Sequence, residues 1–314
     1  MTHEVESMFY TKETPWHGLG KYLDNPATAQ EAITMAELDW EVELSPVMVE
    51  DKVIEEFNAV RRIKDGRVYC IVRNRYSPIQ NKEAFDFFDN VVGSGQAIYH
   101  TAGSLKDGAR IWILAKLGDS IGIKGEQVDK YICLSNSHDG SMALQMFWTP
   151  IRVVCSNTLA MAESARIGQR FYTRHTTRYN DRMIVAQEVL GFANKFYNQW
   201  TEQADILANN QLKPAELPLL LNTAFGYEKG IPMEEVYQPV QRDMEVVVRL
   251  LETGRGMDNP DIRGTKWAAF NATAEYVDYY RKPRGGKPDN RLNSSWFGAG
   301  AKIKERAWNH LLKS

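Results

Sequence analysis

The fold of the first half of the chain is constrained most by three Asp-Gly pairs, at residues 65–66, 107–108 and 139–140. Each pair stands between two runs that are rich in β-branched and aromatic residues. Because Asp-Gly adopts the positive φ angles of tight hairpin turns, the pattern predicts three β-hairpins. Their strands are expected at 57–63 with 68–76, at 97–105 with 109–117, and at 129–137 with 141–149.

Further elements are predicted around these hairpins. Trp40, Val42 and Leu44 alternate with glutamates, which indicates another strand with these three side chains facing inward. Amphipathic stretches at 28–38 and 81–92 predict two helices. Antiparallel strands with helices packed against them belong to the α+β class, so we expect an antiparallel β-hairpin sheet with packed helices.

The second half of the chain has helical periodicity instead. The spacing predicts a long helix from Thr158 to about Asn209, with a break near Gly168 or residues 176–177. Further helices are expected at 234–251, 267–280 and 301–312, and a loop rich in Pro, Gly, Asn and basic residues at 282–295. The sequence therefore predicts a mainly helical C-terminal half.

Two domains are expected from this change, an α+β domain at 1–155 and a helical region at 156–314. The net charge of −2 hides a strong asymmetry between the ends of the chain. Residues 1–60 hold three basic against thirteen acidic residues, and residues 281–314 hold nine basic against two acidic ones. Opposed ends favour pairing within a protomer or between the protomers of a ring, so we expect a homo-oligomer.

The cysteine and histidine patterns argue against disulfides and metals. Cys70, Cys133 and Cys155 are odd in number and lie far apart in apolar stretches, which predicts buried free thiols in a reducing cytosol. The histidines are scattered without metal-ligand spacing, so neither a metal nor another cofactor is expected. The sequence has no apolar run of membrane-spanning length, and its acidic N-terminal residues are not expected to act as a signal peptide. We therefore expect a cytoplasmic protein of the host cell.

Five arginines stand four residues apart, and aromatic residues are interleaved with them. The arginines are Arg166, Arg170, Arg174, Arg178 and Arg182, and the rings include Tyr172, His175 and Tyr179. On a helix, a four-residue step would align the arginines in a basic ridge roughly 24 Å long. Such a ridge suits the phosphates of a nucleic acid, and the rings suit its bases. The alternative is a solvated, salt-bridged helix face.

A second basic tract lies near the C-terminus. It contains Arg281, Lys282, Arg284, Lys287 and Arg291, with Trp296 following. Positive charges that alternate with stacking rings are typical of sequence-independent single-strand binding. The alternative is a mobile loop that its charges keep soluble.

Other motifs carry less information. The string PWHGLG at 15–20 lacks the strand and helix that flank a phosphate-binding loop, so we interpret it as a structural anchor. Cys155 and His175 are of the types that form a nucleophile pair, but their sequence positions do not show whether they meet. An enzyme would require a deep pocket that joins His17, Cys155 or His175 with carboxylates.

Five strings of the sequence are distinctive: WHGLG at 16–20, RVVCSNTL at 152–159, RHT at 174–176, GTKW to EYVD at 264–278 and RLNSSWFG at 291–298. In these strings the chain resembles the phage/plasmid-like proteins of unknown function, domain-of-unknown-function family 932. The resemblance covers nearly the whole chain and implies a phage, prophage or plasmid setting, but it implies no activity. The order of elements is also similar to that of Red-beta and RecT-type single-strand annealing proteins, from which no residue roles carry over.

These observations lead to one main functional hypothesis. We expect a single-stranded nucleic-acid binding or annealing protein of a phage or plasmid, which acts as an oligomer on DNA and needs no cofactor. One alternative is an interaction protein that engages a host or defence factor. Another is an enzyme that processes nucleotides or nucleic acid.

Overall fold

The computed structural model describes residues 5–11, 20–24, 28–92, 97–152, 157–158, 170–176, 187–228, 230–282 and 291–314. Its strands are β1 (Val5–Thr11), β2 (Lys21–Leu23), β3 (Val42–Val49), β4 (Lys52–Arg62), β5 (Val68–Arg73), β6 (Ala97–Leu105), β7 (Arg110–Ile123), β8 (Glu126–Ser137), β9 (Leu144–Arg152), β10 (Asn157–Thr158) and β11 (Arg170–Thr173). Its helices are α1 (Ala29–Met35), α2 (Asn81–Val92), α3 (Gln187–Asn209), α4 (Glu216–Phe225), α5 (Gln238–Thr253), α6 (Lys266–Glu275), α7 (Arg291–Phe297) and α8 (Ala299–Leu311). A 3-10 turn (Met233–Glu235) precedes α5, and a π-helical turn (Tyr276–Tyr280) continues α6.

The strands form two sheets. The larger sheet has the order β10-β9-β8-β7-β6-β1-β2, and β11 also pairs with β9. Its pairings are antiparallel except for β1 with β2, which run parallel. The smaller sheet is the antiparallel meander β3-β4-β5. The antiparallel sheets with packed helices confirm the α+β prediction.

The three Asp-Gly hairpins form as predicted. They are β4–β5, β6–β7 and β8–β9. Gly66, Gly108 and Gly140 have φ angles of +73°, +85° and +70°, in the region where a side chain would be strained. Two of these turns therefore connect four strands of the larger sheet, β6 to β9, and the third connects β4 with β5 in the smaller sheet.

The main core lies between the helices and one face of the larger sheet. Trp200 of α3 stacks on Trp308 of α8 with ring centroids 5.7 Å apart, and both rings are buried. Trp267 of α6 packs edge-on against both and donates a hydrogen bond from Nε1 to Glu126 Oε2 at 3.0 Å. This bond ties the helical layer to β8.

A second apolar cluster covers the opposite face of the larger sheet. Trp296 and Phe297 of α7 pack there edge-on against Trp112 of β7 and Phe147 of β9. The helix α7 therefore holds down the face that the other helices leave uncovered. Among the described residues, every helix is too short or too polar to cross a bilayer.

The long helix predicted from Thr158 is wrong where the structure describes it. Arg170–Thr173 is strand β11, and the described helix begins at Gln187. Phe171 is buried against Phe87 of α2 while Tyr172 is exposed, which is the period of two that a strand has. Pairing with Leu144–Phe147 of β9 overrides the helical spacing of the arginines.

Three other expectations are corrected or left open. Residues 291–295 belong to α7 rather than to a loop, because Trp296 anchors that helix in the second cluster. Leu44 is 36% exposed instead of facing inward. The main core draws residues from both sides of position 155, and the division into domains 1–155 and 156–314 stays a prediction.

Candidate functional site

Only part of the arginine series lies in the described chain. Arg170 begins β11 and Arg174 follows it, whereas Arg166, Arg178, Arg182 and Tyr179 lie outside the described residues. The helical ridge is therefore wrong between 170 and 174. Tyr172, within β11, and Arg174, directly after it, are both exposed.

Two of the predicted stacking rings are buried. His175 is 6% exposed and stacks parallel to Tyr76 with ring centroids 5.0 Å apart. Trp296 is 7% exposed and lies 5.2 Å from the Trp112 ring. We expected both rings on the surface, but each is packed in the interior.

The C-terminal basic tract is described at its two ends. Arg281 is partly buried and donates from Nη1 to Ser294 Oγ at 2.6 Å, and Lys282 is exposed. Arg284 and Lys287 lie outside the described residues, and Arg291 is the first residue of α7. One predicted member, Arg281, therefore has a partner within the fold.

Arg174 and His175 line an open cleft of about 650 Å³ between β5 and the tip of the β8–β9 hairpin. The remaining lining comes from Cys70, Ile71, Val72, Arg73, Arg75, Tyr76, Asp139, Gly140, Ser141, Met142, Ala143 and Thr176. This volume lies within the range of about 300–1,000 Å³ that is typical of ligand sites.

Backbone hydrogen bonds assemble the cleft from distant parts of the chain. Tyr76 and Thr176 form an isolated antiparallel bridge, and the Ser77 backbone N–H donates to His175 O at 3.1 Å. This bridge fastens the chain after β5 to the chain after β11. It places Arg75 and Arg174 around one opening.

The rim of the cleft is positively charged. Arg73, Arg75 and Arg174 are exposed, and within the described ranges none of them forms an ion pair. The Arg73 guanidinium lies 5.8 Å from the centroid of the Phe57 ring. Glu56 lies with Arg73 and Arg75 around a smaller depression, but not at ion-pair distance. Three guanidinium groups are therefore available to an anion.

One carboxylate, that of Asp139, also lines the cleft. Burial opposes its ionisation, but hydrogen bonds from Ser141 together with the charges of Arg110 and Lys106 outweigh this effect and lower its pKa. The Ser141 backbone N–H donates to Asp139 Oδ1 at 2.9 Å. Asp139 is thus an anion held by its own turn, and the three arginines outnumber it.

Two buried histidines belong to this region: His175 lines the cleft, and His138 directly precedes the lining residue Asp139. The fully buried His138 donates a hydrogen bond from Nε2 to Asn81 Oδ1 at 2.9 Å. Burial lowers the pKa of His138 to about 3 and that of His175 to about 4, so both rings are neutral at pH 7. Burial also raises the pKa of the Cys70 thiol, whose Sγ lies 3.4 Å from His138 O.

Polar atoms at the cleft have no partner among the described residues. They are both ring nitrogens of His175 and the hydroxyl oxygen of Tyr76. Buried polar atoms of this kind normally have a hydrogen-bond partner, so an unpartnered set needs a physical explanation.

Of the residues at this site, Arg174 and His175 are predicted from the sequence. Arg73, Arg75, Tyr76 and Asp139 are not. The alternation of Arg73 and Arg75 at the end of a predicted strand was the available indication. Nothing in the local sequence around Arg75 or around Asp139 shows that these segments lie next to the segment after β11. That proximity comes from the tertiary bridge between Tyr76 and Thr176.

Comparison with known proteins places the chain in a family. The family model described as a domain of unknown function (DUF932) matches residues 68–296, which include every residue that lines the cleft. No curated protein and no solved structure matches the chain significantly. Because the match extends over well more than half of the sequence, the chain belongs to the DUF932 family.

Proposed function

We propose that the protein binds single-stranded nucleic acid across the arginine-rimmed cleft. The observation that carries the proposal is the set of three exposed arginines without ion-pair partners in the described chain, around one open cleft. Guanidinium groups bind phosphate oxygens in a bidentate manner, and phosphate contacts supply most of the affinity in sequence-independent binding. An open cleft also lets a polymer continue beyond it.

The surroundings of the cleft favour a single strand. Tyr172 is 47% exposed and lies in β11, two residues before Arg174. Exposed aromatic rings next to phosphate-binding cations are the arrangement on which unpaired bases stack. In a duplex, the bases are already stacked on each other.

The register of β11 supports a shared surface with the C-terminal basic tract. Position 170 lies opposite Phe147 of β9, and the Phe147 ring lies 6.0 Å from Phe297 of α7. Directly opposite residues point to the same face of a sheet. Arg291, the last residue of that tract, therefore begins the helix that covers the face on which Tyr172 lies. In the proposal, Lys282 and the remaining basic residues of that tract extend the phosphate contacts.

The test is binding of a fluorescein-labelled 30-mer of thymidine by the variant Arg75→Ala/Arg174→Ala. We expect at least tenfold weaker binding at low salt. We also expect a salt dependence shallower by about 1.4, at ~0.7 per lost phosphate contact. The matched control is Arg263→Ala, which removes an exposed arginine that does not line the cleft and should change neither quantity. Unchanged affinity of the double variant would contradict the proposal.

The proposal includes annealing by an oligomer in a phage or plasmid setting, without a cofactor. We expect the protein to accelerate pairing of two complementary labelled strands and to form rings or filaments on them. A protein that ignores strands but forms a stoichiometric complex with a host or defence factor would favour the interaction hypothesis instead.

A further inference from the structure

The inner wall of the cleft contains hydrogen-bonding groups that the fold does not use. The His175 ring is nine-tenths buried, yet neither of its nitrogens has a partner in the described chain, and the Tyr76 hydroxyl has none either. Leaving such atoms unpaired in the interior is unfavourable. The same two rings stack in parallel, with 3° between their planes, so they form one ring pair.

The chemistry of this ring pair differs from that of the arginine rim. A neutral imidazole offers one donor and one acceptor, and a phenol hydroxyl offers both. The inner wall therefore contains a buried, neutral donor and acceptor set, whereas the exposed Arg73, Arg75 and Arg174 present positive charge. A ligand that satisfies both needs a planar hydrogen-bonding group and an anionic group in one small unit.

We propose that the cleft binds one nucleotide unit, with its phosphate at Arg75 and Arg174 and its base edge at Tyr76 and His175. This inference deepens the proposed function and rests on it for the source of the nucleotide within a strand. A free nucleotide carries the same chemistry. The volume of about 650 Å³ accommodates a ligand of this class, and the open shape allows the sugar–phosphate chain to leave the cleft.

Simpler ligands satisfy only half of the cleft. Inorganic phosphate would engage the arginines and leave the donors and acceptors of the inner wall unpaired. In the part of the chain that the structure describes, no three His, Cys, Asp or Glu side chains are grouped to hold a metal.

The first measurement uses the unmodified protein and calorimetric titration with thymidine 5′-monophosphate, thymidine and inorganic phosphate. A free-nucleotide site binds the monophosphate at least tenfold more tightly than thymidine or phosphate. A site for a nucleotide within a strand shows instead a preference of about tenfold for a thymidine 20-mer over an abasic 20-mer, in line with one bound base. The absence of both preferences would overturn the inference.

The second measurement localises the preference with the variant Tyr76→Phe. This change removes a hydroxyl that has no partner in the described fold, so the thermal midpoint should not fall. We expect the preference, for the monophosphate or for the base-bearing strand, to fall at least threefold. The matched control Tyr237→Phe alters a tyrosine that is 66% exposed and does not line the cleft. An unchanged preference in Tyr76→Phe would overturn the inference.

The two proposals fail differently in these experiments. If the abasic strand binds with a steep salt dependence but no base preference exists, strand binding stands and the nucleotide pocket is wrong. If no strand binds but the monophosphate does, the pocket stands as a free-nucleotide site and the proposed strand-binding function is wrong.

Discussion

Two polar clusters in this protein use similar residue types in opposite ways. Where the π-helical turn, α7 and α8 meet, the fully buried Lys304 donates to Asp278 Oδ1 at 3.0 Å and to Ser295 Oγ at 3.2 Å. Ser295 also donates to Asp278, so each member has a partner. In the cleft, the arginines are exposed without ion pairs in the described chain, and buried polar atoms lack partners.

The difference separates a structural role from a binding role. A closed cluster whose hydrogen bonds are satisfied holds the elements that supply it, and a ligand has no place to enter. An open cluster with unused donors and cations is stabilised when a ligand supplies the missing partners. Variants that alter charges and imidazoles at sites of different burial test this distinction.

The largest effect is expected at the closed cluster. Lys304→Ala leaves the Asp278 carboxylate buried without its cation, and breaking a buried ion pair in this way costs about 3–5 kcal/mol. Urea unfolding of the variant should show a loss of that order in the free energy of unfolding. Nucleic-acid binding by the molecules that remain folded should be unchanged.

The control for this prediction removes both charges. Lys304→Met/Asp278→Asn keeps an acceptor for Ser295 and should recover most of the lost stability, because a neutral pair of similar size no longer leaves a buried charge unpaired. A single variant that is as stable as the unmodified protein would show that the cluster is not structural.

The next effect concerns two buried, neutral imidazoles, that of His175 in the cleft and that of His138 next to Asp139. The folded-state pKa values of His138 and His175, about 3 and about 4, lie below the ordinary value of 6.5. The unfolded chain therefore binds protons first as the pH falls below 6.5. The contribution of these histidines to the free energy of unfolding should be complete above pH 6.5. As the pH falls below 6.5, the free energy of unfolding should decrease by up to about 1.4 kcal/mol per pH unit for each histidine.

Urea unfolding between pH 7 and pH 5 measures this dependence, above the range in which most carboxylates titrate. His175→Phe keeps a flat ring against Tyr76 and should reduce the pH dependence by about one proton. A free energy of unfolding that stays constant from pH 7 to pH 5 would mean that the imidazoles are hydrated rather than buried.

Local chemistry explains which elements the sequence predicted well. Asp-Gly turns fixed three hairpins, and helix α2 has the predicted bounds of 81 and 92. Strand β11 was missed because the spacing of its arginines matches a helix, while its hydrogen bonds come from β9. Helix α7 was missed because its stability comes from Trp296 and Phe297 in the second cluster.

The candidate site was predicted only in part, for a related reason. Arg174 and His175 stood out in the arginine series, and both line the cleft. Arg75 and Tyr76 sit in an ordinary strand pattern and gain their role from the bridge to Thr176. Contacts between segments so far apart leave no periodicity in the sequence, whereas turns and amphipathic helices do.

The smallest effect is expected at an exposed lysine–aspartate pair that isolates the influence of burial. Lys82 and Asp86 of α2 lie 2.6 Å apart, closer than Lys304 and Asp278, but their side chains are 66% and 54% exposed. Solvent screens the attraction, and lysine preceding the acid is the less favourable order on a helix. Asp86→Ala should change the free energy of unfolding by less than about 0.5 kcal/mol in the same urea assay. A loss comparable to that of Lys304→Ala would mean that distance, rather than burial and the unpaired partner left behind, governs these ion pairs.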